Sequence, residues 1–154
     1  MATQSLTRPV AAVPRPELHL AGGVCIAILA LLGLGALGGS LFLVTDPDGS
    51  SMQWTTAMLD GSPFEDFLVP GLLLGGLFGI GSFVVAGMGL ARLRVAPFLA
   101  FGIGVAQMIW IVVELAIIGE LSFLHPACFA MGLVIAATAV RWGWPTLSGW
   151  RATR

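Results

Sequence analysis

Apolar residues in this chain fall into four long blocks, and most polar residues are confined to the breaks between them. The blocks run about from Leu20 to Val44, Phe67 to Leu90, Pro97 to Phe123 and Pro126 to Trp142. A bilayer core about 30 Å thick needs roughly 20 apolar residues at 1.5 Å each, so each block reads as a membrane-spanning helix. The fourth is the shortest, and Arg141 with Trp142 and Trp144 is expected to anchor its end at the headgroups. The breaks after the second and third blocks are short, which forces neighbouring helices to run antiparallel. The predicted fold class is an all-α membrane protein, an antiparallel four-helix transmembrane bundle. Residues 1–19 hold three prolines and no apolar periodicity, which predicts a disordered tail. Residues 20–142 form the bundle with a loop at 45–66, and residues 143–154 form an interfacial tail.

The first block is not read as a cleaved secretory signal. Gly33 and Gly35 mimic a small-residue cleavage site, but the apolar run is too long for a signal core of about 7–15 residues.

Composition strengthens the membrane reading. Of 154 residues 57% are hydrophobic and 10% charged, against about 25% charged in soluble domains. All seven basic residues are arginines, and their placement predicts orientation. Arg8 and Arg15 precede the first block, Arg92 and Arg94 lie between the second and third, and Arg141, Arg151 and Arg154 close the chain. Across four spans these segments share one side, whereas Asp46, Asp48, Asp60, Glu65, Asp66 and Glu120 fall on the other. The positive-inside rule therefore predicts cytoplasmic termini and an outer 45–66 loop. A net charge of −1 gives no electrostatic drive toward nucleic acid. Cys25 and Cys128 fall at opposite depths, too far apart for a disulfide, and read as small buried apolar residues.

In the loop, DPDG at 46–49 predicts a turn. Ser51 then caps a short helix that lays Met52, Trp54, Met58 and Leu59 on the membrane surface. The string SPFE at 62–65 has the form of a capping box with proline at the first helical position, so the second helix is expected to begin near Pro63. Pro70 would then lie seven residues inside and kink it. Asp46, Asp48 and Ser50 have the spacing of the first calcium-loop ligands, but Ser51 stands where that loop needs glycine and Ala57 where it needs glutamate. No calcium site is predicted, and a Cys/His pair at His125 and Cys128 is too small a set for zinc.

The string PDGSSMQWTTAMLDGSPFEDFLVPGLLL, with QMIWIVVE in the third block, resembles a signature in small bacterial four-span membrane proteins without an assigned activity. The resemblance implies a bacterial cytoplasmic (inner) membrane and the same four-span layout, and it carries over no functional residue.

Two features remain as candidates for function. Gly71, Gly75 and Gly79 form a stripe on the second span, and Gly35 with Gly39 repeats that spacing on the first. Small residues four apart let helices approach closely, which matters where lipid gives no hydrophobic drive for association. On the third span Gln107 and Glu114 lie seven residues apart, within about 20° around the helix, and Trp110 stands between them. An acidic residue deep in an inserted helix costs about 2.5–3.5 kcal/mol on insertion scales. The Gln107, Trp110 and Glu114 stripe should therefore face the bundle interior. Two states are open to Glu114: a neutral acid that glues helices by hydrogen bonding, or a carboxylate lining a wet cavity where it meets a cation or proton.

No motif points to catalysis, a metal or a cofactor. The first functional reading is a small accessory or scaffold subunit, forming a homo-oligomer or joining a membrane-protein partner through the glycine-lined faces. The alternative is a carrier or binding protein for a small apolar or cationic solute, with Gln107, Trp110 and Glu114 as the ligand-binding residues.

Overall fold

The computed structural model describes residues 18–119 and 122–151, of which 144–151 are described by backbone alone. Arg8, Arg15, Glu120 and Arg154, and almost all of the expected N-terminal tail, lie outside those residues. Among the described residues the chain is all-helical. Its four long helices are α1 (Leu20–Thr45), α2 (Leu68–Leu90), α3 (Ala96–Ile118) and α4 (Leu124–Arg151). Each contains a stretch long and apolar enough to cross a bilayer, in α4 Leu124–Gly143. Their outward faces carry residues such as Leu31, Leu34, Ile80, Ile109 and Val112, all more than half exposed to what would be lipid. The fold is that of a small multi-pass integral membrane protein.

The bundle is two helix pairs joined at one end. Along the first pair, α1 takes up the glycine stripe of α2. A Cβ added at Gly71 would come within 2.8 Å of Leu43, and one at Gly79 within 2.7 Å of Leu37. A Cβ at Gly75 would collide with Ser40, whose hydroxyl donates to the Gly71 carbonyl at 2.8 Å. In a regular α-helix each four-residue step drifts about 40° around the axis. From Leu74 to Ile80, however, α2 widens into π-helical turns. Wider turns drift the opposite way, which keeps the three glycines aligned on α1 over the length of the contact.

In the second pair, α3 and α4 cross at Gly104 and Gly132. A Cβ at Gly104 would stand 2.6 Å from the Gly132 carbonyl oxygen, and one at Gly132 2.8 Å from the Gly104 oxygen. The two pairs meet near the chain termini, where Cys25 Sγ approaches the Ile135 carbonyl at 3.8 Å. There Trp142 fills the space left by Gly22 and Gly89. Only 1% of Trp142 is exposed, so it is a core residue and not the headgroup anchor expected from sequence. Two glycines, having no side chains, make room for the indole inside the bundle.

Three further expectations are corrected. The second helix begins at Leu68, not near Pro63. Ser62 Oγ accepts from the Phe64 amide at 3.2 Å, closing a local turn, while Asp66 Oδ1 accepts from the Leu68 amide at 2.9 Å. Pro70 consequently falls in the first turn and not seven residues inside the helix, so its missing N–H has no intrahelical partner to lose. The third helix stops at Ile118 rather than Phe123, because Gly119 takes φ +73° and its amide closes on the Leu115 carbonyl at 3.0 Å. Finally, the 46–67 segment does not lie on the membrane surface. It forms two 3₁₀ turns (Ser50–Met52 and Thr56–Leu59) and folds inward, packing Leu59 and Phe67 against Leu43, with Ile117 of α3 beside them.

Candidate functional site

At the termini end the pairs are closely packed, whereas at the loop end they part. Between them is a cavity of about 610 Å³, within the range of roughly 300–1,000 Å³ common for ligand pockets. It has three levels. At the floor lie Leu32, Gln107 and Met131; in the middle Ala36, Trp110 and Ile111; near the top Glu114, Ile117, His125 and Cys128. The loop roofs it with Met52, Trp54, Met58 and Leu59.

The roof is built from short-range turns. Gly49 adopts φ +83°, and its carbonyl accepts from the Met52 and Trp54 amides at 3.0 Å each. The Phe67 amide donates to the Pro47 carbonyl at 2.9 Å, and the Trp54 and Phe67 rings meet at 5.6 Å. The acidic side chains of this segment serve the turns. Asp48 Oδ1 accepts from the Ser50 amide (3.0 Å) and hydroxyl (2.8 Å), and Asp46 accepts from the Ser51 hydroxyl. Those bonds to Ser50, the backbone amide first, hold the Asp48 carboxyl below its ordinary range.

The floor and the top differ in chemistry. Gln107 is only 2% exposed, and its Oε1 has no hydrogen-bond partner. A buried acceptor without a donor costs about 1–3 kcal/mol, and Ser82 Oγ and Trp142 Nε1 are likewise buried without a partner. Trp110 packs edge-on against Phe78 of α2 at 5.8 Å and 64°. Glu114 is half-buried and lies near His125 and Cys128 of α4. The His125 ring is fixed by the start of its helix: Nδ1 accepts from the Ser122 amide at 3.0 Å while Ser122 Oγ accepts from the Leu124 amide at 3.4 Å. That is a reciprocal N-terminal cap with histidine in the place usually taken by glutamate.

Because α3 ends early, its midpoint is Gln107 rather than Trp110. Glu114 stands seven residues from that midpoint, about 10 Å toward the loop end at 1.5 Å per residue. Gln107, Trp110 and Glu114 thus line one cavity at successive heights.

The glycines divide differently. Gly71, Gly75, Gly79 and Gly39 face neighbouring helices within the chain, whereas nothing lies within 4 Å of a Cβ at Gly35, which borders the cavity. Sequence reasoning did not single out the Gly104–Gly132 crossing, because the two residues belong to different helices and share no motif. It also missed the roof residues Phe64 and Phe67; their apolar spacing gave no sign that the loop turns inward. Among the described residues no group of three or more His, Cys, Asp or Glu side chains is placed to hold a metal ion.

Fold and cavity together define a small four-span membrane protein with an internal pocket at one end. Comparison with protein-family models, with curated proteins and with solved structures returns no match to this chain.

Proposed function

We propose that this protein binds a small, largely apolar solute in the cavity between its helix pairs, as a carrier or binding protein of a bacterial cytoplasmic membrane. The observation that carries this reading is the pocket of about 610 Å³ between the helix pairs, lined by Gln107, Trp110 and Glu114 of α3. The scaffold reading ranks second, because Gly71, Gly75 and Gly79 are already taken up by α1 of the same chain.

The arginine distribution supports cytoplasmic termini, which puts the roofing loop and the upper cavity toward the outer leaflet. In a background with Cys25 and Cys128 replaced by alanine, Ser50→Cys should react with a membrane-impermeant thiol reagent in intact cells. Leu93→Cys, in the α2–α3 turn, should react only after lysis. Reversed labelling overturns the orientation without touching the pocket.

The binding test is extraction and mass spectrometry of small molecules retained by protein purified in mild detergent. Gly35→Phe is the comparison, since its Cβ meets open space and its ring would occupy the cavity without displacing a helix. A molecule retained by the wild type and lost in Gly35→Phe supports binding. Identical profiles containing only bulk lipid would sink it.

A further inference from the structure

Resting on that reading, we infer the chemical class of the ligand: an apolar alcohol, its single hydroxyl seated between Glu114 and His125 and its hydrocarbon body filling the cavity below them. The hydroxyl accepts from the imidazole of α4 and donates to the carboxyl of α3.

The ring of His125 fixes the first half of that complement. Its Nδ1 accepts from the Ser122 amide at 3.0 Å. The Ser122 carbonyl, 3.3 Å from the same nitrogen, already accepts from the His125 amide at 3.2 Å. A ring nitrogen that receives an N–H carries no proton of its own, so the imidazole is neutral with its proton on Nε2. Protonating Nδ1 would set two N–H groups against each other and break the cap at the start of α4. Among the described residues no acceptor is bonded to the Nε2–H. His125 therefore offers the cavity it lines a hydrogen-bond donor without charge.

Glu114 supplies the other half. It lies close enough to His125 for their charges to interact, yet no hydrogen bond joins the two across the upper cavity. Neutral or ionised, its carboxyl accepts through at least one oxygen, so its complement is a donor in either state. A group held between the two must accept from His125 and donate to Glu114. An ammonium cannot accept, and a carboxylate cannot donate. A hydroxyl does both, carries no charge and has one polar heavy atom to desolvate. Among the described residues no arginine lines the cavity to call for an anion, and Cys128 beside the pair offers only a weakly bonding thiol.

Below that pair the cavity asks for hydrocarbon. Its middle level is apolar and aromatic, and Gln107 in its floor is enclosed at 2% exposure, so it offers a ligand no polar atom. Seven residues of α3 separate the levels of Glu114 and Gln107, about 10 Å. A staggered carbon chain advances about 1.25 Å per carbon, so about eight carbons cover that depth. A volume of about 610 Å³ suits a drug-sized molecule and calls for a branched body rather than one bare chain. In the loop half the cavity is bordered by Leu31 and Gly35 on α1 and by Leu124 on α4, all exposed. An alcohol in that leaflet already points its hydroxyl toward the headgroups and its body toward the midplane, so it slides in sideways without turning over. A body that leaves lipid for an apolar pocket has no hydrophobic drive, and discrimination therefore rests on the hydroxyl.

The test uses full-length protein in phosphatidylcholine nanodiscs at neutral pH, with empty nanodiscs correcting for partition into lipid. Four radiolabelled probes share one branched body and differ at its end: 3,7-dimethyl-1-octanol, its methyl ether, 3,7-dimethyloctylamine and 3,7-dimethyloctanoate. Saturable 1:1 binding is expected to be tightest for the alcohol. The ether, which accepts but cannot donate, should bind about fivefold more weakly, the usual net worth of one hydrogen bond. Amine and carboxylate should also fall below the alcohol. Glu114→Leu should lower the alcohol to the level of the ether while the ether holds its affinity, which also shows that the variant is folded. Glu114→Gln, an acceptor that cannot ionise, should restore the alcohol. His125→Phe should weaken alcohol and ether alike. Tightest binding of the amine, lost in Glu114→Gln, would mean that the site reads charge and would overturn the alcohol class. Tightest binding of the carboxylate, or equal binding of alcohol and ether, overturns it as well and leaves the pocket standing. Absence of saturable binding by all four probes overturns the class, and retention of no molecule in the extraction experiment then removes the binding reading too.

Discussion

At the scale of single residues, Gln107 is a polar group that the fold buries without a partner for its amide oxygen. That oxygen weakens the protein, so Gln107→Leu, close to it in size, should stabilise the fold by about 1 kcal/mol or more. Thermal unfolding in detergent measures this, and a destabilised Gln107→Leu would mean that the oxygen has a structural partner. Two glycines of α3 make a sharper contrast. Gly102 meets nothing within 4 Å, whereas a Cβ at Gly104 would press on the Gly132 carbonyl and the Ala136 amide, both backbone. Gly102→Ala should be neutral or mildly stabilising, by up to about 1 kcal/mol from helix propensity. Gly104→Ala should cost at least about 1–3 kcal/mol, because backbone atoms cannot move aside as a side chain would. Asp48 gives a pH dependence of known sign. Its folded-state carboxyl lies below the ordinary value near 3.9, so its contribution is present above that value and is lost as pH falls through the folded one. Hydrogen exchange of the Ser50 amide should accelerate, relative to the intrinsic rate, only in that acid window. A flat protection profile through it would remove the Asp48 contact from the account.

At the scale of elements, the chain uses helix ends to set the depth of the site. α3 is terminated by Gly119 in the left-handed region, and this early stop puts Glu114 within one turn of the helix end. The turn between α2 and α3 is tighter still. The Arg92 amide closes on Gly89 at 2.9 Å and the Leu93 amide on Met88 at 3.0 Å, the paired bonds of a Schellman cap. Arg92 holds φ +55° at the position where such caps favour glycine. Arg92→Gly should therefore stabilise the folded protein by about 1 kcal/mol through relief of the left-handed backbone, read as a rise in unfolding temperature. An unchanged or lowered temperature would show that the arginine side chain contributes more than its backbone costs. α2 shows the limit of reading caps from sequence. The string SPFE has the residues of a capping box, yet Ser62 bonds within its own turn, and Asp66 takes over at the true start.

At the scale of the whole molecule, the division into two pairs is what creates the pocket. The glycines of α2 draw α1 along its length, and Gly104 with Gly132 draws α4 onto α3. Trp142 locks the pairs together at the termini end only. The loop then spans the gap at the other end, and its Leu59 and Phe67 replace the helix–helix contact that is missing there. Leu59→Ala should for this reason loosen the roof more than the bundle. Hydrogen exchange should rise in residues 50–67 while the helices keep their protection, and a uniform rise would show that the loop is integral to the bundle.

The four spans, their antiparallel order and the interior-facing stripe of α3 were legible in the sequence. Each rests on local physics: a run of apolar residues set against bilayer thickness, or a helical repeat that puts residues 107 and 114 on one face. Even the early end of α3 had a visible signal in Gly119, outweighed in the reading by the apolar residues after it. The cavity had none. Whether Gly35 touches a neighbour or borders empty space depends on how far α1 stands from α4, and that distance is set by Trp142 and the Gly104–Gly132 crossing elsewhere in the chain. The inward fold of the loop is likewise a consequence of the gap beneath it, since Met52, Trp54 and Leu59 would be equally buried by a membrane surface or by a cavity roof. Local composition decides that a residue leaves water; only the tertiary arrangement decides whether it meets lipid, another helix or a pocket.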